Sequence, residues 1–124
     1  MPLYNTATAA VALGVTPKWL DNLLSHNKID GVSRARQGIA RRLSLRGVES
    51  VAVVRDLSSA LGIPVAPAIE IARQLLHEPG RAHSVSSALK LSLDIPALRH
   101  EVASSLAHAV EVAHHPPRGR PRKL

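Results

Sequence analysis

The chain has 124 residues, with 16 Lys or Arg against 9 Asp or Glu, a formal net charge of +7 with neutral histidines. This length corresponds to one small domain with room for a short appendage. Cysteine is absent and Tyr4 and Trp19 are the only aromatic residues, which excludes disulfides, thiolate metal sites and a cysteine nucleophile and favours helices over a β-sandwich. No apolar run approaches the ~20 residues of a membrane span, and the first residues lack the features of a secretory signal. We therefore expect a cytoplasmic protein without a membrane partner.

The positive charge is divided between the two ends of the chain. Residues 1–76 contain 9 basic and 5 acidic side chains, residues 77–115 contain 3 and 4, and residues 116–124 contain 4 and 0. Two basic blocks are typical of a protein that binds a polyanion, because each cation placed against a phosphate releases condensed counterions. A solvated basic surface that keeps the protein soluble is the alternative explanation.

Two short helices are predicted near the N-terminus. Thr6 is expected to cap a helix over residues 7–13, which Gly14 stops. Thr16 followed by Pro17 predicts a second N-cap with proline at the first helical position, where its missing N–H has no cost. Two short helices separated by a glycine turn indicate a helix-turn-helix.

A basic segment follows these helices. Residues 29–43 contain sparse apolar positions, and Arg36-Gln37-Gly38 predicts a turn between two short strands. The arginines that lie in or beside this segment are Arg34, Arg36, Arg41, Arg42 and Arg46. A basic hairpin after a helix-turn-helix is typical of a wing, which grips the DNA backbone or the minor groove beside the groove that the second helix enters.

Two further helices are predicted after the hairpin. Ser44 can cap a helix over residues 45–61, which ends at Gly62. A fourth helix is predicted over residues 67–77, before a Pro-Gly break. Residues 1–78 are therefore expected to form the DNA-binding domain.

Residues 79–115 are predicted to contain one strand and one helix. Residues 84–93 alternate between apolar and polar side chains, and residues 96–114 carry an apolar stripe with steps of three and four. One strand and one helix cannot cover this stripe alone, so the segment packs on the N-terminal helices or pairs with a second copy. We expect a homodimer. The side chains expected at its seam are Leu89, Leu91, Leu98, Val102, Leu106 and Val110.

Several motifs of the first 76 residues occur together in one known family. They are Thr8-Ala9-Ala10, Leu13-Gly14-Val15-Thr16, Ile29, Arg36-Gln37-Gly38 and the helix after Leu43-Ser44. In this combination the chain resembles the DNA-binding domain of MerR-like winged-helix proteins, a group that includes phage excisionases and small bacterial regulators. The resemblance implies a mainly α winged helix-turn-helix with a small β-hairpin wing, whose second helix lies in the major groove.

The resemblance also implies which side chains meet DNA. They are Thr16, Lys18 and Asn22 of the second helix, and Arg34, Arg36, Arg41 and Arg42 of the wing. The chain departs from the family at Asp21-Asn22-Leu23, where the family has Arg-Tyr-Tyr, and at Ala40, where it has arginine. Base preference is therefore not carried over.

The C-terminal residues contain a sharper motif. Pro117-Arg118-Gly119-Arg120-Pro121, followed by Arg122-Lys123, resembles the core of the AT-hook. Glycine lets the backbone lie on the floor of a narrow groove, the arginines extend along it and the prolines keep the peptide extended. A·T tracts have the narrowest minor groove, so we expect Arg118, Gly119, Arg120, Arg122 and Lys123 to contact A/T-rich DNA. Residues 116–124 are expected to be disordered without DNA.

No motif indicates catalysis, a metal or a cofactor. None of the seven histidines stands in a metalloprotease-like pair, and the chain has no glycine-rich phosphate loop, close carboxylate pair or nucleophile elbow. We therefore expect a non-enzymatic, nucleoid-associated protein or transcription regulator that binds A/T-rich double-stranded DNA as a dimer. The alternatives are an excisionase-like recombination accessory or phage packaging factor, and a protein-interaction adaptor whose basic ends only increase solubility.

Overall fold

The structure is a computed structural model that describes residues 2–33 and 40–114, without the side chains of Ala113 and His114. Within these residues the chain forms five helices and two short antiparallel strand pairs, which confirms a mainly helical protein with a small sheet. The elements in chain order are β1 (Leu3–Asn5), α1 (Thr6–Leu13), α2 (Pro17–His26), β2 (Arg42–Ser44), α3 (Leu45–Leu61), α4 (Val65–His77), β3 (His83–Ser84), β4 (Lys90–Leu91) and α5 (Ile95–His114).

Polar side chains cap the N-termini of four helices. Thr16 Oγ1 accepts from the Trp19 amide at 3.0 Å, and Ser44 Oγ accepts from the Gly47 amide at 3.2 Å, as the sequence predicts. The Asp94 carboxylate does the same for α5. The predicted cap of α1 is wrong by one residue, because Asn5 rather than Thr6 accepts from the first free amide. Each such cap stabilises its helix by roughly 1 kcal/mol.

β2 lies between two other extended segments. On one side it pairs with β1, with Tyr4 opposite Leu43, a strand that the sequence analysis missed. On the other side, Leu43 bridges to Val32, and the Ser33 amide donates to the Arg42 carbonyl at 2.9 Å. The two ends of the predicted hairpin are therefore paired, whereas its predicted turn at residues 36–38 lies outside the described residues.

α3 is the centre of the hydrophobic core. Every residue from Gly47 to Val54 is buried, because α1, α4, α5 and β2 all pack on this helix. Between Gly47 and Val54 the helix therefore has no exposed polar face. The buried carboxylate of this stretch, on Glu49, lies 3.9 Å from the Arg99 guanidinium of α5. The core thus joins residues on both sides of residue 78.

α5 packs mainly on α1 within the same chain, which corrects the expected dimer seam. Leu98, Val102 and Leu106 are only 7%, 5% and 3% exposed in the single chain, so they belong to the protomer core and are not available to a second copy. Burial of this stripe inside the chain removes its apolar area from water without a partner. Of the other expected seam residues, Leu91 is half-buried against the core, and Leu89 and Val110 are exposed.

The single strand predicted over residues 84–93 is wrong. The chain forms a small hairpin instead, in which His83 pairs with Leu91 and Ser84 with Lys90. Ser86 Oγ accepts from the Leu89 amide at 3.0 Å and closes the turn. Alternation of side chains alone does not distinguish one strand from two strands joined by a serine turn.

Candidate nucleic-acid interface

α2 exposes one polar face. Leu20, Leu23 and Leu24 are buried in the core, and this leaves a solvent-facing row at helical spacing. The row consists of Lys18, Asp21, Asn22 and Ser25. Lys18 and Asn22, both predicted to contact DNA, therefore lie side by side on this face.

Thr16 is also exposed, and its hydroxyl has a structural role. Its oxygen accepts one hydrogen bond as the cap of α2, so the hydroxyl hydrogen and one lone pair remain for a ligand. The turn that precedes it is held by the Val15 amide, which donates to the Ala10 carbonyl at 3.1 Å. Arg55 Nη1 of α3 donates to the Leu13 carbonyl at 2.7 Å. This bond ties the end of α1 to α3 and thereby fixes where α2 begins.

A groove of about 470 Å³ lies between the residues that end and follow α2 (24–29) and a wall formed by Val32, Ser33 and Arg41. Its cationic side chains are Lys28 and Arg41, with His26 beside them, and no Asp or Glu lines it among the described residues. His26 Nδ1 donates to the Asn22 carbonyl at 2.9 Å, which leaves Nε2 of that ring for a ligand. The sequence analysis missed Lys28, because only the fold brings it next to Arg41.

Within residues 2–33 and 40–114, no acidic side chain forms an ion pair with a cation of this region. The four ion pairs among the described residues involve Arg55, Arg73, Arg81 and Arg99. None involves Lys18, Lys28, Arg41 or Arg42, and residues 34–39 and 115–124 contain no acidic side chain. Arg42 is exposed on β2, and Arg41 is half-buried beside the groove.

Two glycines hold the backbone that leads into the groove against α3, because Gly31 directly precedes the groove-lining Val32. Gly31 has a left-handed φ of +87°, and an added Cβ there would lie 2.3 Å from the Gly47 amide nitrogen. A Cβ on Gly47 would in turn lie 2.5 Å from the Gly31 carbonyl oxygen. The Ser44 amide donates to the same oxygen at 2.8 Å. Only glycine permits this approach, and no local pattern in the sequence marked it.

A second polar hollow, of about 760 Å³, lies between α4, the start of β3 and Asp30. Its two arginines are neutralised: Arg73 binds both carboxylate oxygens of Glu70, and Arg81 lies 2.6 Å from Glu78. The hydrogen bond from Arg73 lowers the pKa of Glu70 below its ordinary value and raises that of Arg73. His83 Nδ1 donates to the Gln74 side-chain oxygen at 2.7 Å and completes the network.

The remaining predicted DNA contacts lie outside the described residues. These are Arg34 and Arg36 of the wing and Arg118, Gly119, Arg120, Arg122 and Lys123 of the tail. Ser33 and Ala40, which flank residues 34–39, both lie next to β2.

No protein-family model matches the chain, and comparisons with curated proteins and with solved structures found no match either. None of the helices in residues 2–33 and 40–114 is both long enough and apolar enough to cross a membrane.

Proposed function

We propose that the protein binds double-stranded DNA as a winged helix-turn-helix with an AT-hook-like tail, and acts as a transcription regulator or nucleoid-associated protein. α2 enters the major groove, the basic segment around β2 holds the flanking backbone, and the tail binds an A/T-rich minor groove. The major groove of B-DNA admits one α-helix, and α2 has a polar face free for this contact.

The observation that carries the proposal is the groove at the end of α2. Lys28 and Arg41 both line it, and no ion pair among the described residues involves either of them. Cations left unpaired beside a free helix face suit a phosphate backbone, because the energy of the contact comes from releasing the counterions of DNA. A surface that only increases solubility does not require this grouping.

The exposed row of α2 carries side chains that read bases and phosphates. Asn22 has the donor and acceptor pair that matches adenine, and Lys18 can donate to guanine or to phosphate. Asp21 lies between them and repels phosphate, although its carboxylate can accept from the amino group of cytosine. The row therefore favours contact with base edges over contact with the backbone.

The tail extends the interface to a second groove. Arg118-Gly119-Arg120 has the residue types for a narrow A/T minor groove. Joining two modest modules on one chain raises the effective concentration of each at the other's site.

A salt titration of duplex binding tests the proposal. Fluorescence anisotropy on A/T-rich and G/C-rich duplexes should show an affinity that falls steeply with salt, since every phosphate contact adds about 0.9 to the slope. Replacing Arg118 and Arg120 with alanine should weaken binding to the A/T-rich duplex more than to the G/C-rich one. A flat salt response, or no binding, contradicts the proposal and leaves a protein-interaction adaptor.

Genome-wide mapping of bound sites then separates the two roles. A few sharp peaks indicate a transcription regulator, and broad occupancy that follows A/T content indicates a nucleoid-associated protein.

A further inference from the structure

His26 lies where the exposed row of α2 meets the groove. It follows Asn22 by four residues, as Asn22 follows Lys18, so these three exposed side chains share one face of the helix. His26 is also the last residue of α2, and it lines the groove together with Lys28 and Arg41. A duplex that contacts Lys18 and Asn22 and extends to the groove therefore passes beside the His26 ring.

The hydrogen bond at Nδ1 fixes the tautomer of the neutral His26 ring. A carbonyl oxygen only accepts, so the 2.9 Å contact with the Asn22 carbonyl places the proton on Nδ1. In the neutral ring Nε2 is then an acceptor, and it cannot donate to a phosphate oxygen. In the imidazolium both nitrogens carry a proton, so the ring keeps its bond to Asn22 and gains a donor for phosphate. A hydrogen bond from Nε2 to DNA therefore requires the charged ring.

A bound phosphate changes the balance of charge around this ring. Lys28, from the loop after α2, and Arg41, beside β2, line the same groove and repel a charge on His26. The negative end of the helix dipole attracts a cation at this position. Asp21 is the acidic side chain of α2 and lies five residues earlier, and Asp30 lines the cleft beside α4 instead of the groove. A phosphate in the groove offsets the repulsion by the two cations, so the charged ring is favoured in the complex.

We propose that His26 is a proton-linked DNA contact, in which the imidazolium donates from Nε2 to a phosphate in the groove and the neutral ring makes no such bond. This inference rests on the proposed DNA binding and adds a dependence on pH. Histidine changes its charge between about pH 5 and 8, so duplex affinity should rise as the pH falls across this range. Linkage to one proton limits this rise to about tenfold per pH unit.

Duplex binding by four full-length proteins tests the inference. They are the unmodified chain, His26→Gln, His26→Arg and the control His77→Gln. His77 is a matched position because it also ends a helix, α4, but lines the cleft. Anisotropy titrations between about pH 5.5 and 8 at constant salt give the affinities. Calorimetry in buffers of different ionisation enthalpy gives the number of protons taken up on binding.

The unmodified chain and His77→Gln should bind about tenfold more tightly at the acidic end of this range than at the basic end, and should take up protons on binding. His26→Gln should lose this uptake and bind weakly throughout, because glutamine does not become charged. His26→Arg should bind tightly throughout, because its charge is permanent. Proton uptake by the unmodified chain and the gain in His26→Arg keep the test decisive if His26→Gln is unstable.

Three results overturn this inference alone. They are duplex binding without proton uptake by the unmodified chain, equal uptake by His26→Gln, and a neutral His26 ring that carries its proton on Nε2 in nitrogen NMR spectra of the free protein. Absence of duplex binding by the unmodified chain at every pH overturns the proposed function itself.

Discussion

The two polar hollows of the protein differ in how their cations are satisfied. The cleft beside α4 is the larger and contains two arginines, but each is engaged by a glutamate on its own helix or turn. The groove at the end of α2 is smaller, no Asp or Glu lines it among the described residues, and no ion pair found there involves Lys28 or Arg41. Each hollow contains two Lys or Arg side chains. The two hollows differ because ion pairs engage these side chains only in the cleft.

This difference indicates which of the two hollows a polyanion would bind more favourably. A phosphate that approached Arg73 would have to compete with the Glu70 carboxylate, both oxygens of which accept from Arg73 Nη2. A phosphate at Arg41 replaces only water and counterions. The proposed DNA contact therefore belongs to the groove, and we expect the cleft to be neutral towards DNA.

The largest expected effect is on stability and concerns Gly31, which precedes the groove-lining Val32. Gly31→Ala should lower the free energy of unfolding by about 3 kcal/mol, because a left-handed backbone strain is added to an overlap with the α3 backbone. Gly47→Ala should also destabilise, despite the helix propensity of alanine. Denaturant unfolding followed by circular dichroism measures both.

Gly80→Ala is the matched control near the cleft. Gly80 has a similar φ of +86° but nothing within 4 Å of an added Cβ, so only the strain of about 1 to 2 kcal/mol should appear. Equal losses at Gly31 and Gly80 would show that the close approach to Gly47 does not matter.

The next largest effect is on DNA affinity and compares a groove variant directly with a cleft variant. Arg41→Ala should weaken duplex binding about tenfold at low salt and reduce the salt slope by about 1. Arg81→Ala, in the cleft, should change neither. If both variants weaken binding alike, overall charge and not the groove determines affinity. Anisotropy titrations at several salt concentrations provide the measurement.

Thr16 allows a finer test, since it caps α2 and is also a predicted DNA contact. Thr16→Ala should cost about 1 kcal/mol of stability by leaving the Trp19 amide without its acceptor. Thr16→Ser should restore both stability and DNA affinity, because serine retains the hydroxyl. Restored stability without restored affinity would mean that the threonine methyl group contacts DNA.

The smallest expected effect lies in the cleft. The pKa of Glu70 is lowered in the folded chain, so its contribution to stability is present above the ordinary glutamate pKa and is lost as the pH falls through the lowered value. Arg73→Ala should raise the pKa of Glu70 towards its ordinary value, as measured by NMR titration of the side-chain carboxyl. DNA affinity at neutral pH should stay unchanged; a loss there would bring the cleft into the interface.

Much of the candidate site could be predicted from local pattern. The polar face of α2 follows from helical spacing once Thr16 and Pro17 mark where the helix begins. Lys28 and Arg55 could not be assigned in this way, because Lys28 and Arg41 line the same groove, and Arg55 reaches the Leu13 carbonyl, only after distant elements have packed.

The sequence by itself determined the helices and most of their ends, as at Gly14, Ser44 and Gly62, because capping and glycine termination depend on residues within one turn. Only the tertiary structure decided what the apolar stripe of α5 covers, since a stripe specifies an apolar partner but not which one. The same holds for the pairing of β1 with β2 and for the contact of Gly31 with Gly47. These join segments far apart in the chain, and their selection depends on which arrangement buries the most apolar surface without leaving polar groups unpaired.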